Sequence, residues 1–235
     1  VYLLLLQSSI TSFYHPKHGG FTTNKPYGQA DNVVDVLSTA HLGLTSLYFG
    51  DLEKAKSAGE LLQRFMSMQP DIKQGFYLRL NDAGKIITDF PQEASLFFKV
   101  SAVQPDQAYF MVGYSIAFLG KLYQATHDKR YLDTAKSYLD FALNCHDDLR
   151  TCHFSHKVAW GAAIVAKLTG EPRFADLAIN IADYLLSIQD ANGGWLQEQP
   201  AHTSFDQTAE IAIWLREIAA ELTTQKGERN DGVIT

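Results

Sequence analysis

The sequence predicts an all-α chain of stacked helical hairpins curling into an α/α toroid of about four hairpins, with one small β-hairpin inserted. Three observations predict it. A turn phrase recurs in which an apolar helix stops at a Gly or polar turn and the next begins after Asp or Glu. It is legible at Leu47 to Asp51, Leu122 to Tyr131 and Leu168 to Phe174. The last two copies are in register, since Asp128 and Glu171, Tyr131 and Phe174, and Ala135 and Ala178 each stand 43 positions apart. An internal period of that size marks stacked helical hairpins. Finally, helices that are apolar nearly all round alternate with helices carrying a polar stripe, the patterns of buried inner and half-exposed outer helices.

The elements follow in order. A first helix is expected over about 1–13, where the Val1 to Leu6 run reads as buried helix, and a glycine-bearing irregular segment follows from His15 to Phe21. A second helix spans about 32–48. A third starts at the N-cap Asp51 and carries Leu52, Ala55, Ala58, Leu61, Leu62 and Phe65 at helical spacing. Two alternating runs around Asn81-Asp82-Ala83-Gly84, from Gly75 to Ile87, predict the β-hairpin. The stretch from Phe90 to Val103 reads as loop with one helical turn. Helices return at about 106–126, 129–145, 155–169, 172–189 and 204–223. Pro172 suits a first helical position, where the missing N–H has no intrahelical partner. The toroid is expected to occupy 1–223 as a single domain, with a polar, frayed tail at 224–235.

Composition narrows the function. A hydrophobic content of 46% over 235 residues supplies one large core. The net charge of −6 without a basic run lacks the electrostatic footprint of a nucleic-acid binder. No apolar stretch approaches the roughly 20 residues needed to span a bilayer, so neither nucleic acid nor membrane is an expected partner. Two cysteines, Cys145 and Cys152, suit a reducing compartment, and cytoplasm is expected. Gly19-Gly20 and Gly193-Gly194 lack the strand-to-helix context and the Lys of a nucleotide cradle. There is no Gly-x-Ser-x-Gly elbow for an activated serine. Cys145-His146 and Cys152-His153 offer zinc-type ligands but neither a Cys-x-x-Cys knuckle nor a His-x-x-x-His clamp, so they read as buried thiols without metal. No cofactor is called for.

Candidate site residues gather at the starts of inner helices. His153 and His156 lie three apart, with Trp160 one turn after His156, so a base and an aromatic floor share a face. Asp206 and Glu210 share a face four apart, preceded by His202 and Phe205, and Glu210 interrupts an apolar helix and therefore needs a partner. Asp35 and His41 lie on the second helix, and Asp106 and Tyr109 occupy the matching rim of the 106–126 helix. A helix N-cap accounts equally well for Asp106, and Asp35 repeats with Asp31 the four-residue spacing of Asp206 and Glu210.

The alternation of helices, the turn phrases and the Gln189 to Trp195 segment resemble two α/α-toroid superfamilies. One is the six-hairpin glycosidase-like group with the N-acylglucosamine 2-epimerase family, to which His18-Gly19-Gly20-Phe21 and Gly75-Phe76-Tyr77 leading into Leu80 to Lys85 are similar. The other is the terpenoid cyclase and prenyltransferase group, whose Gln-Trp motif Gln189 to Trp195 resembles. Asp106 to Met111 is also similar to an Asp-x-x-Tyr/Phe-Met segment of unsaturated glucuronyl hydrolases, where the Asp is catalytic. The departures are equally specific. Neither Asp-x-Asp-Asp nor Asp-Asp-x-x-Asp occurs, and a His-x-x-Glu-x-x-Trp catalytic helix is met only by His156 and Trp160.

These readings lead to a cofactor-independent isomerase or epimerase acting in a central cavity on a carbohydrate-like small molecule. His156 and His202 are expected to act as opposing acid and base. Asp206, Glu210 and Asp35 orient the substrate or the imidazoles, and His41, Asp106, Tyr109, His153, Trp160 and Phe205 bind it. A cyclase of isoprenoid or polyketide-like metabolites in an aromatic-lined cavity, and a non-catalytic helical-repeat binding protein, are the alternatives. A four-hairpin ring is smaller than the six typical of the architecture, and a second copy is expected to cover its apolar edges as a homodimer.

Overall fold

The computed structural model describes residues 8, 10–23, 26–29 and 32–230, with side chains as far as Thr223. Its long helices are α1 (Val36–Tyr48), α2 (Leu52–Ser67), α3 (Phe110–Thr126), α4 (Lys129–Leu143), α5 (His156–Thr169), α6 (Pro172–Ser187) and α7 (Ala201–Asn230). Short 3-10 turns occupy Gln92–Phe97, Asp147–Thr151 and His153–Ser155. Helices α1, α3, α5 and α7 lie side by side in chain order, while α2, α4 and α6 each fold back outside the helix before them. This is the α/α-toroid arrangement, with three full hairpins and a further inner helix among the described residues.

The 43-residue repeat is explicit in the coordinates. Asp128 and Glu171 occupy the N-caps of α4 and α6, and Tyr131, Phe174, Ala135 and Ala178 are all buried at matching positions. The helices before these caps stop on left-handed residues, His127 at φ 56° and Gly170 at φ 70°. The outer helices are tied by Lys136 to Glu171 at 2.7 Å and by Arg173 to Asp140. Inner helices α3 and α5 are buried almost continuously, from Met111 to Gly120 and from His156 to Ala166. Their close approach depends on glycine. A Cβ on Gly113 would lie 2.6 Å from the Val158 nitrogen, and one on Gly161 would lie 2.7 Å from Ile116.

Helix α7 departs from the expectation of an all-round buried helix. Ser204, Ile211, Ile218 and Glu221 form a narrow buried stripe, while Phe205 is 74% exposed and Ile213 is exposed beside it. Within the described residues it packs chiefly on α5, with a lesser contact to α6. Among these residues, no helix is long and apolar enough to cross a membrane.

The β-structure is richer than expected. Strands β1 (Tyr14–His15), β2 (Gly20–Thr23), β3 (Val33–Asp35) and β5 (Arg79–Leu80) form one antiparallel sheet, and β4 (Gly75–Tyr77) pairs with β6 (Lys99–Ser101). The expected hairpin is present but short. Only its tip closes, through the turn at Asn81 to Gly84 and the Leu80–Ile86 bridge, while Gly75 to Tyr77 leaves for a partner in the stretch read as loop. Strands of two to four residues carry too few alternations to specify a partner. Helix α1 begins at Val36 because Val33–Asp35 is β3, and α3 begins at Phe110. Residues 10–13 end the expected first helix, whose positions 1–7 lie outside the described residues, as do 231–235; the backbone of the expected tail is helical through Asn230.

Candidate functional site

Parallel inner helices bring their N-terminal halves together on one face of the array. Helix α5 contributes His156 and Lys157 from its first turn, α7 contributes Glu210 and Trp214, α3 contributes Tyr114, and α1 contributes His41. The Gly113 contact places the α3 backbone directly against the Lys157–Val158 peptide. That close packing fixes where the Lys157 side chain starts.

His156 is fully buried. Its Nδ1–H donates to the His153 carbonyl, and its Nε2 lies 3.0 Å from Lys157 Nζ. Oε2 of Glu210 lies 3.3 Å from the same nitrogen. Lys157 Nζ also donates to Glu210 Oε2, and Trp214 Nε1 donates to that oxygen at 2.9 Å. The contact with His156 outweighs burial, and with Lys157 and Trp214 it holds the Glu210 carboxyl well below the usual carboxylate range. Glu210 is therefore a fixed negative charge.

Aromatic rings surround this ion pair. The Lys157 ammonium lies 5.2 Å from the Tyr114 ring centre and 5.6 Å from that of Phe110, both within cation–π range. Tyr114 stacks on His41 at 4.7 Å and meets Trp214 edge-on, and Trp214 packs on Trp160 at 4.3 Å. Burial, reinforced by the Glu210 charge, raises the Tyr114 hydroxyl well above its ordinary value. His41 is exposed to solvent. Partial burial, then the Lys157 charge, lowers its pKa against a smaller opposing effect of Glu210. A neutral imidazole, an ammonium and a carboxylate thus share one aromatic-floored surface.

The expected site residues divide between several places. His41, His156, Trp160 and Glu210 meet in the cluster just described. His153 lines a neighbouring rim crevice of about 220 Å³ with Asp106, Cys152 and Phe154, and its carbonyl ties that crevice to His156. Asp106 is exposed there at φ 56°, its N–H donating to Asp148 at 2.8 Å, and Tyr109 is buried in the adjoining N-cap position. Asp35 is a buried N-cap that accepts from the Ser38 N–H at 2.6 Å; burial raises its pKa. His202, Phe205 and Asp206 are exposed at the start of α7 and join neither place. Eight residues of helix carry His202 about 12 Å along the axis from Glu210, so the expected pairing of His202 with His156 is not formed.

Lys157 and Trp214 were not among the expected site residues. The signal for Lys157 was the one that marked Glu210, a charge inside an apolar inner helix, and the two charges are each other's partner. Cys145 and Cys152 are free thiols whose pKa values burial pushes up, to about 12 and about 11. Among the described residues no group of three or more His, Cys, Asp or Glu side chains is placed to hold a metal ion.

No protein-family profile matches the chain. No curated protein sequence matches it either. Solved structures do. D-mannose isomerase superposes with a TM-score of 0.67 at 14% identity, over 91% of this chain and 63% of that one. An unsaturated glucuronyl hydrolase specific for heparin gives 0.63 at 12% identity, over 94% and 67%. Cellobiose 2-epimerase from Spirochaeta thermophila gives 0.51 at 14% identity, over 94% and 70%. These likenesses establish the α/α-toroid fold. The chain spans a little under two thirds of the length of D-mannose isomerase.

Proposed function

We propose that the inner-helix face is the active site of a cofactor-independent sugar isomerase that moves a proton between neighbouring carbons of an open-chain aldose. The observation that carries this reading is the solvent-reaching His41 imidazole, stacked on Tyr114 and sharing its surroundings with the Lys157–Glu210 ion pair. A lowered pKa keeps that imidazole neutral at neutral pH, the state a general base requires. His41 takes the C2 proton to give an enediol, exchanges it with solvent and delivers a proton to C1, while a proton passes from O2 to O1. The Lys157 charge steadies the enediolate oxygen. Glu210 accepts from a sugar hydroxyl, and the rings of Tyr114 and Trp214 pack against the carbon skeleton.

His156 has no exposed surface, so it serves as a positioning residue that holds Lys157 and Glu210 together. With His202 remote, one base faces the substrate. A single base suffices for aldose–ketose isomerisation, whereas direct inversion at one carbon calls for a second base opposite; this favours isomerisation over the broader expectation that included epimerisation. Charged groups amid the rings argue against the hydrocarbon cyclase alternative. Sugar-acting neighbours, both isomerase and epimerase by name, support the substrate class.

The test is incubation with D-mannose, D-glucose and D-xylose, followed by NMR. Appearance of the corresponding ketose is expected from the wild type. His41→Gln is expected to lower the rate about 100-fold or more, the usual contribution of a general base. Cleavage of disaccharides without isomerisation of any aldose would replace this reading with a hydrolase.

A further inference from the structure

We infer that the rim crevice beside His153 binds a small organic cation, a primary ammonium carried on an apolar body. Its volume of about 220 Å³ lies below the roughly 300–1,000 Å³ of sites for drug-sized ligands, so its occupant is small. Asp106 and Asp148 line it, and no Lys or Arg does so among the described residues. The Asp106 N–H donates to Asp148 at 2.8 Å, which fixes one carboxylate and leaves the other without a hydrogen bond or ion pair among the described residues. Arg150, the nearest guanidinium in sequence, turns to Asp147 at 3.2 Å and to the Leu143 carbonyl. Burial, then the neighbouring His156, lowers the His153 pKa, so that ring adds no positive charge at neutral pH. Two negative charges therefore face the crevice uncompensated.

Three further observations select the ligand. Asp106 stands at φ 56°, a left-handed position where glycine is the default, yet the chain presents a carboxylate there. The Tyr109 hydroxyl, buried close to Asp148 and kept protonated by burial and by that charge, has no hydrogen-bond partner among the described residues and offers its oxygen to a donor. The other walls are apolar: Leu96 is 47% exposed, and the Phe154 ring, 4.0 Å from that of His153, presents a face that attracts cations. An ammonium supplies three N–H donors to these oxygens, and its body fills the apolar side. An anion would be repelled and a neutral polyol would leave both charges unpaired. No three His, Cys, Asp or Glu side chains converge to hold a metal ion among the described residues.

The experiment is ligand-observed NMR titration of the whole protein at neutral pH with phenethylamine, its neutral counterpart 2-phenylethanol and its anionic counterpart 3-phenylpropionate. The amine is expected to bind at least about tenfold more tightly than the alcohol, the effect of charge-assisted contacts, and the anion more weakly than either. In Asp106→Asn/Asp148→Asn, which keeps side-chain size and an acceptor oxygen at each position, the amine is expected to fall to the affinity of the alcohol, with the alcohol unchanged. Asp106→Asn alone, at an exposed position whose carboxylate makes no hydrogen bond among the described residues, is expected to lose part of the preference and keeps the test should the double variant fail to fold. Phe154→Ala is expected to weaken amine and alcohol together. A wild type that binds no amine, or binds amine and alcohol equally, would overturn the site, as would undiminished amine binding in the Asp106 variants.

Discussion

Lys157 donates to Oε2 of Glu210, joining the first turn of α5 to the third turn of α7 at the surface where His41 and Tyr114 also meet. Lys157 is buried and Glu210 retains partial exposure. Removing one partner of such a pair leaves the other charge desolvated, which costs more than the intact pair contributes. Lys157→Met and Glu210→Gln are each expected to destabilise the fold by about 2 kcal/mol, below the range for fully buried pairs because solvent still reaches Glu210. The double variant is expected to cost less than the sum. Chemical unfolding of the four proteins measures the coupling, and strict additivity would show that the two groups do not interact.

The same contact makes a prediction about acid. Because the folded-state pKa of Glu210 is depressed, its contribution to stability is fully present above the unfolded glutamate value of about 4.3 and is lost as pH falls through the lower folded value. Wild-type stability is expected to fall below about pH 4 more steeply than that of Glu210→Gln. Unfolding curves collected between pH 3 and 7 compare the slopes.

His41 gives a kinetic counterpart. Burial and the Lys157 charge both lower its pKa, and Glu210 opposes them. Lys157→Met removes one lowering influence and leaves the opposing carboxylate, so the acid limb of kcat/KM is expected to move to higher pH. Burial persists, which makes the shift partial. An unmoved limb in this variant would assign the titration to another group.

Packing between α3 and α5 is tested at glycine. Gly113→Ala drives a methyl group to 2.6 Å from the Val158 nitrogen and 2.7 Å from the Lys157 carbonyl carbon, backbone atoms that cannot rotate away. Gly120→Ala meets the Ile164 side chain at a similar distance, and a side chain can shift. The first substitution is expected to cost about 2–3 kcal/mol and to impair activity through Lys157, with the second milder on both counts. Thermal unfolding alongside steady-state kinetics separates them.

The repeat was legible because it is local: a cap, a buried aromatic and a buried alanine return after 43 residues, and Asp128, Tyr131 and Ala135 occupy the same helical positions as Glu171, Phe174 and Ala178. Glu210 was legible as a carboxylate needing a partner. Its partner was not, because a contact between residues 53 positions apart is set by which inner helices adjoin. His202 and Phe205 misled for the same reason, since an apolar-looking helix is buried only on the sides that have neighbours. Strands β1 to β6 were mostly hidden by their brevity, each spanning four residues or fewer.

The central claim is that His41 moves a proton on a bound sugar. Conversion of an aldose in D₂O, with the label at C1 of the ketose and C2 of recovered aldose read by NMR, tests it most directly. The account predicts solvent deuterium at those carbons with wild-type protein and its loss, together with turnover, in His41→Gln. Isomerisation at an undiminished rate in His41→Gln would contradict it.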